Sequence, residues 1–194
     1  MVSKTRDKFI EVARQLFARK GVENTTMNDI ASASEKGRRT IYTYFKSKRE
    51  IFNAVIASET DQLLDRLREI VSLDTNPDDK LKRYINCRFD TMSEIVSRNG
   101  SLKAGFFRDV RKVDRARKLI TDKETALLQK ILEQGMAEGF FSIANPHHSA
   151  VVITHTIHGL DVPYIRDNLS KEGVTQEQLK HYVTELILNG IEKR

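Results

Sequence analysis

The chain has 194 residues, 39% hydrophobic and 31% charged, with 3 prolines and 9 glycines. That balance excludes a low-complexity or disordered chain and suffices for one substantial core with a small appended module. The net charge of +6 is all N-terminal: residues 1–50 hold 12 Lys+Arg against 6 Asp+Glu, and residues 51–194 hold 21 against 21. A basic module on a neutral body is the electrostatic footprint of a nucleic-acid binder, although a solvated basic surface gives the same count.

Apolar residues recur at three and four throughout, which predicts an all-α fold. Phe9, Val12, Ala13, Leu16 and Phe17 line one face of a first helix, which Gly21 ends with a left-handed cap. Thr26-Met27-Asn28-Asp29 fits a capping box, so a second helix runs from about Met27 to Ala33 with its positive end available to phosphate. A third, from about Arg38 to Tyr44, carries Arg38, Arg39, Thr40, Tyr42 and Tyr44. Two short helices around a tight turn read as a helix-turn-helix. In the major groove, guanidinium forks meet guanine edges and hydroxyls meet phosphates. Arg38 and Arg39 therefore either read bases or touch phosphate and solvent. Thr40 either bonds a base or caps its own helix. Phe45 is expected in the core, while Tyr42 and Tyr44 are open to either fate.

These residues resemble the tetracycline-repressor (TetR/AcrR-type) family of bacterial transcriptional regulators. The resemblance is carried by Phe17, Gly21, Thr25-Thr26, Ile30-Ala31, Thr40, Tyr42, Phe45, Lys48 and Phe52, within about Phe9 to Phe52. It implies DNA-backbone contacts from Thr26, Tyr42, Tyr44 and Lys48, with Met27 at the phosphate-facing helix start, and makes residues 1–50 the DNA-binding domain. It also implies a ligand-responsive repressor with a small-molecule effector, bound in residues 51–194. The turn departs from the family pattern: Ser34-Glu35-Lys36-Gly37 stands where Ala-Gly-Val-Ser is usual. A left-handed Glu35 costs about 1 kcal/mol, so the turn is expected to shift toward Gly37. Arg39 replaces a small residue, which makes the operator sequence this protein's own.

Ser47 can cap a fourth helix that continues through Ile51, Phe52, Val55, Leu63, Leu64, Leu67 and Ile70. After Asp74-Thr75-Asn76-Pro77, a stripe from Leu81 to Val96 predicts a fifth helix, and a short helix is expected through Leu102 to Phe107. A long helix spans about Val113 to Ala137. Asn145-Pro146 then supplies an N-cap and a first-turn proline for a helix reaching Ile165, which Pro163 is expected to kink or break. Thr175 caps the last, from about Gln176 to Ile191. Phe89, Met92, Phe106 and Phe107, with Arg88 and His155 as polar anchors, lie on elements that surround an inducer cavity in the resembled family. Apolar residues at that spacing are also ordinary core. The last two helices carry more apolar surface, from Val151 to Leu160 and from Leu179 to Ile191, than one partner helix buries. A homodimer through a four-helix bundle is therefore expected.

Cys87 is the single cysteine, which excludes an intrachain disulfide and a cysteine-rich zinc site and suits a reducing cytoplasm. No membrane span or signal-peptide core is apparent, so a membrane partner is not expected. His147-His148 and His155 with His158 lack an acidic partner at ligand spacing, so no metal and no cofactor are expected. No nucleophile elbow or phosphate loop occurs, which argues against an enzyme. The expected function is a sequence-specific regulator of a palindromic double-stranded operator. The alternative is a sequence-indifferent, architectural DNA binder.

Overall fold

The computed structural model describes residues 2–98 and 110–192, with side chains from Lys4 to Arg98 and from Ile120 to Glu192. Among these residues the fold is all-α: α1 Val2–Lys20, α2 Met27–Ala33, α3 Arg38–Tyr44, α4 Lys48–Ser72, α5 Pro77–Arg98, α6 Val110–Ala137, α7 Pro146–Ile165 and α8 Gln176–Ile191, with a 3-10 turn at Asn168–Glu172. By internal contacts the chain forms two compact units, Met1–Asp61 with Ile95–Ala116, and Gln62–Glu94 with Arg117–Arg194. The first therefore extends beyond residue 50, because the apolar stripe of α4 continues through the buried Ile51 and Val55.

In the first unit, Phe9, Ala13, Phe17, Ile30, Ala31, Ile41 and Phe45 form one core. The chain leaves α1 through Gly21 at φ 88°, which donates to the Phe17 carbonyl at 3.0 Å. Thr25 is buried with its hydroxyl satisfied, donating to the Gly21 carbonyl at 2.7 Å. Thr26 and Asp29 complete the reciprocal capping box on α2, and Ser47 accepts the Glu50 amide at the start of α4.

The turn before α3 differs from expectation. Glu35 itself takes the left-handed conformation, at φ 56°, while Gly37 is extended, at φ −68°. The register has not moved. Glu35 is accommodated because its side chain lies in solvent and accepts from Lys8 Nζ at 3.1 Å, and the Lys36 amide still closes the turn onto the Ala31 carbonyl at 3.0 Å.

In the second unit, α6 ends at Ala137 and Phe141 folds back on it. A Cβ on Gly135 would lie 2.0 Å from the Phe141 ring, so that close approach requires glycine. Asn145 accepts the His148 amide at the start of α7, and Thr175 with Gln178 forms a second capping box at α8. Pro163 does not break α7, which continues to Ile165. The proline falls in the last turn, where only the exposed Gly159 carbonyl loses its donor, and the Arg166 amide closes the helix on Val162 at 3.1 Å. The expected helix through Leu102 to Phe107 lies outside the described residues.

Candidate nucleic-acid interface

Core packing determines which residues of α3 face outward. Ile41 is buried and Tyr44 is half-buried against the Phe9 ring, at 5.8 Å between centroids. The opposite side of this two-turn helix presents Arg38, Arg39 and Tyr42, all exposed, with Thr40 half-buried between them. The Arg38 guanidinium lies 5.7 Å from the centre of the Tyr42 ring, a cation–π contact between two exposed side chains of α3. Thr40 does not cap its helix: the N-cap is Gly37, and no side chain bonds the first amides. Thr43 is turned back on its own helix, donating to the Arg39 carbonyl at 3.1 Å.

The α2 end is tightly organised. Asp29 accepts the Thr26 amide at 2.8 Å and Lys20 Nζ at 2.9 Å. The Thr26 backbone bond, with Lys20 and the Thr26 hydroxyl, lowers its carboxyl to a pKa of about 2. Two expected contacts are altered. The Met27 side chain is buried in the core, because it opens the apolar stripe that continues to Ile30 and Ala31, so only its backbone can face a phosphate. Lys48 is half-buried, and its ammonium donates to the Val22 carbonyl at 2.7 Å and the Glu23 carbonyl at 3.2 Å. It clasps the loop between α1 and α2, leaving one of its three donors uncommitted by these bonds.

The family model for bacterial regulatory proteins of the tetR family matches residues 9–55, the stretch that builds this surface. Over these residues the chain is similar to the DNA-binding module of that family. The repressor KstR2 of Mycolicibacterium smegmatis is 25% identical over 96% of this chain and 90% of its own length. A transcriptional regulator from Cytophaga hutchinsonii shares the fold at a TM-score of 0.78, with 24% identity over 96% of this chain and 98% of that one. The fold is also shared with SmeT in complex with triclosan, at a TM-score of 0.70 and 15% identity over 98% of this chain and 92% of that one.

Of the residues expected around an effector, Arg88, Phe89 and Met92 are more buried than the exposed face of α3. Arg88 is 3% exposed and is held by two carboxylates from other helices. Its Nε donates to Glu124 of α6 at 2.5 Å, and its two terminal nitrogens donate to Asp161 of α7 at 2.8 and 2.9 Å. Burial opposes the charged form of Arg88, but Glu124 and Asp161 outweigh it and hold the guanidinium more firmly protonated than usual. Arg88 is thus a structural ion pair, in place of the open anchor expected from sequence. Phe89 is fully buried against the Tyr164 ring, with 4.9 Å between centroids, and Met92 is also buried. His155 is exposed beside His158, which bonds Glu124. Phe106 and Phe107 lie outside the described residues.

Sequence reasoning missed Glu124 and Asp161 as Arg88's partners and His158 as a partner of Glu124, and missed Asp90, which accepts both the Tyr164 hydroxyl and Lys180 Nζ at 2.9 Å. The available signal was charge on an apolar stripe: Arg88 follows Leu81, Tyr84 and Ile85 on the buried face of α5. Among the described residues no helix is long and apolar enough to cross a membrane, and no group of three His, Cys, Asp or Glu could hold a metal.

Proposed function

We propose that the chain is a cytoplasmic, ligand-responsive transcriptional repressor that binds a near-palindromic DNA operator as a homodimer. The observation that carries the reading is the exposed Arg38, Arg39 and Tyr42 face of α3, set on a module that holds the whole charge excess of the chain. Arg38 and Arg39 read base edges; Thr26, Thr40, Tyr42, Tyr44 and the free donor of Lys48 set the register on the phosphates. Dimerisation is supported by Val152, Leu186 and Tyr182 on the last two helices, exposed by 64%, 74% and 49% in the single chain. These side chains remain outward while Ile153, Ile157, Leu179 and Val183 are buried. Two-fold symmetry would place recognition helices about 34–36 Å apart, or further by whole turns of the duplex.

A small-molecule effector acts through the second unit, in keeping with the triclosan complex of SmeT. It weakens operator binding only by its differential affinity for two conformations, about 1–3 kcal/mol in ordinary couplings. Phe89, Met92 and His155 are retained as candidate contacts, with Arg88 acting on them through packing.

Selection of bound duplexes from a random pool tests the function directly. The expected result is a preferred sequence with two inverted half-sites, bound by a dimer in sedimentation and with affinity falling steeply as salt rises. Enrichment of no sequence would leave the architectural reading in its place.

A further inference from the structure

Every fourth residue along the inward face of α4 reads Ile51, Val55, Glu59 and Leu63, so a carboxylate stands where the pattern calls for an apolar side chain. Glu59 is 4% exposed. A buried carboxylate is costly unless cations meet it, and two do. Arg98, the last residue of α5, donates from Nη2 to Oε2 of Glu59, and Arg14 of α1 places Nε 3.8 Å from Oε1. Arg14 is itself oriented by Glu11, to which Nε donates at 2.9 Å. All four residues belong to the first compact unit, which α4 leaves after Asp61 and which α5 joins at Ile95.

We propose that Glu59 is a positioning residue for DNA binding, its carboxylate fixing α1 and the end of α5 on α4 and thereby the presentation of α3. This rests on the reading of the chain as a sequence-specific DNA binder. The physical case is that a buried ion pair adds little net stability over apolar side chains of similar volume. It does add direction, because charge-assisted hydrogen bonds fix an angle that apolar packing lets slide. Glu59 joins three helices through one group, next to the points where two of them pass out of the DNA-binding unit.

The test uses the full chain and the duplex that wild type selects from a random pool. Glu59→Leu, Glu59→Gln, Arg98→Met and the Glu59→Gln/Arg98→Met double variant are compared for chemical unfolding and for operator affinity. Because Arg14 keeps its bonds to Glu11 and the Arg98 side chain is 40% exposed, Glu59→Leu leaves no fully buried charge and is expected to unfold near the wild-type denaturant concentration, yet to bind the operator about tenfold more weakly, within the range of ordinary couplings. The loss is expected to be equal across operators carrying base substitutions, and the double variant is expected to be no weaker than the worse single one. Affinity equal to or tighter than wild type in Glu59→Leu and Glu59→Gln overturns the proposal, as does a loss that only tracks reduced stability. Should wild type itself select no duplex, the sequence-specific reading falls and takes this role with it.

Discussion

Arginine does opposite work in the two units. In the first, Arg38 and Arg39 are exposed on a short helix, and the surrounding 50 residues carry the full +6 of the chain. In the second, Arg88 is buried between Glu124 and Asp161, carboxylates of two other helices. A surface guanidinium is free to meet a partner outside the chain, whereas a buried one must find its partners within it. Surface arginine therefore points to recognition, and buried arginine to assembly of the helices around it.

The largest expected effect tests the buried side of that contrast. Arg88→Met leaves two carboxylates facing each other in the interior and should lower unfolding stability by about 3–5 kcal/mol, read from urea denaturation. An unchanged midpoint would mean the cluster is already solvated. On the exposed side, Arg39→Ala should leave the urea midpoint in place, weaken operator binding by about 1–3 kcal/mol and relax preference at one base pair of each half-site. A variant with the wild-type specificity profile would reassign Arg39 to phosphate. Glu35→Gly is a smaller effect of mixed sign: relief of the left-handed backbone gains about 1 kcal/mol, and loss of the solvent-screened Lys8 pair opposes part of it. Thermal unfolding should rise slightly, and a fall would show that the Lys8 contact outweighs the strain.

The least effect concerns acid. Asp29, lowered from 3.8 to about 2 by the Thr26 amide, Lys20 and the Thr26 hydroxyl, contributes fully above its unfolded value. That contribution is lost as pH falls from about 4 to about 2. Asp29→Asn should flatten this part of the acid-unfolding curve, measured by helicity, and an unaltered curve would assign the acid limb to other carboxylates.

Much of the fold could be read in sequence because its determinants are local. The capping boxes at Thr26 and Thr175, the Asn145 cap and the Gly21 stop involve residues within four positions of each other, and each formed where the pattern placed it. The outward face of α3 was equally local, since burial of Ile41 fixes where Arg38, Arg39 and Tyr42 point. What escaped was non-local. Arg88 meets partners 36 and 73 positions away, and no periodicity marks those pairs in advance. The turn was misjudged because glycine preference was weighed without Lys8, 27 positions back, which holds Glu35 in place. Lys48 likewise clasps carbonyls 25 and 26 positions upstream.

The placement of aromatic rings has an optical consequence. The chain contains five tyrosines and no tryptophan, so its near-ultraviolet emission is phenolic. Tyr84 is buried with its hydroxyl donated to the Glu124 carbonyl, and Tyr164 is pushed up to about 12 by burial and by Asp90; both should resist ionisation in mild alkali. Tyr42, exposed beneath the Arg38 guanidinium, is the ring that a docking duplex would cover. Unlabelled protein thus carries its own fluorophore on the face proposed to meet DNA, and quenching of that signal on addition of DNA would report engagement without any dye.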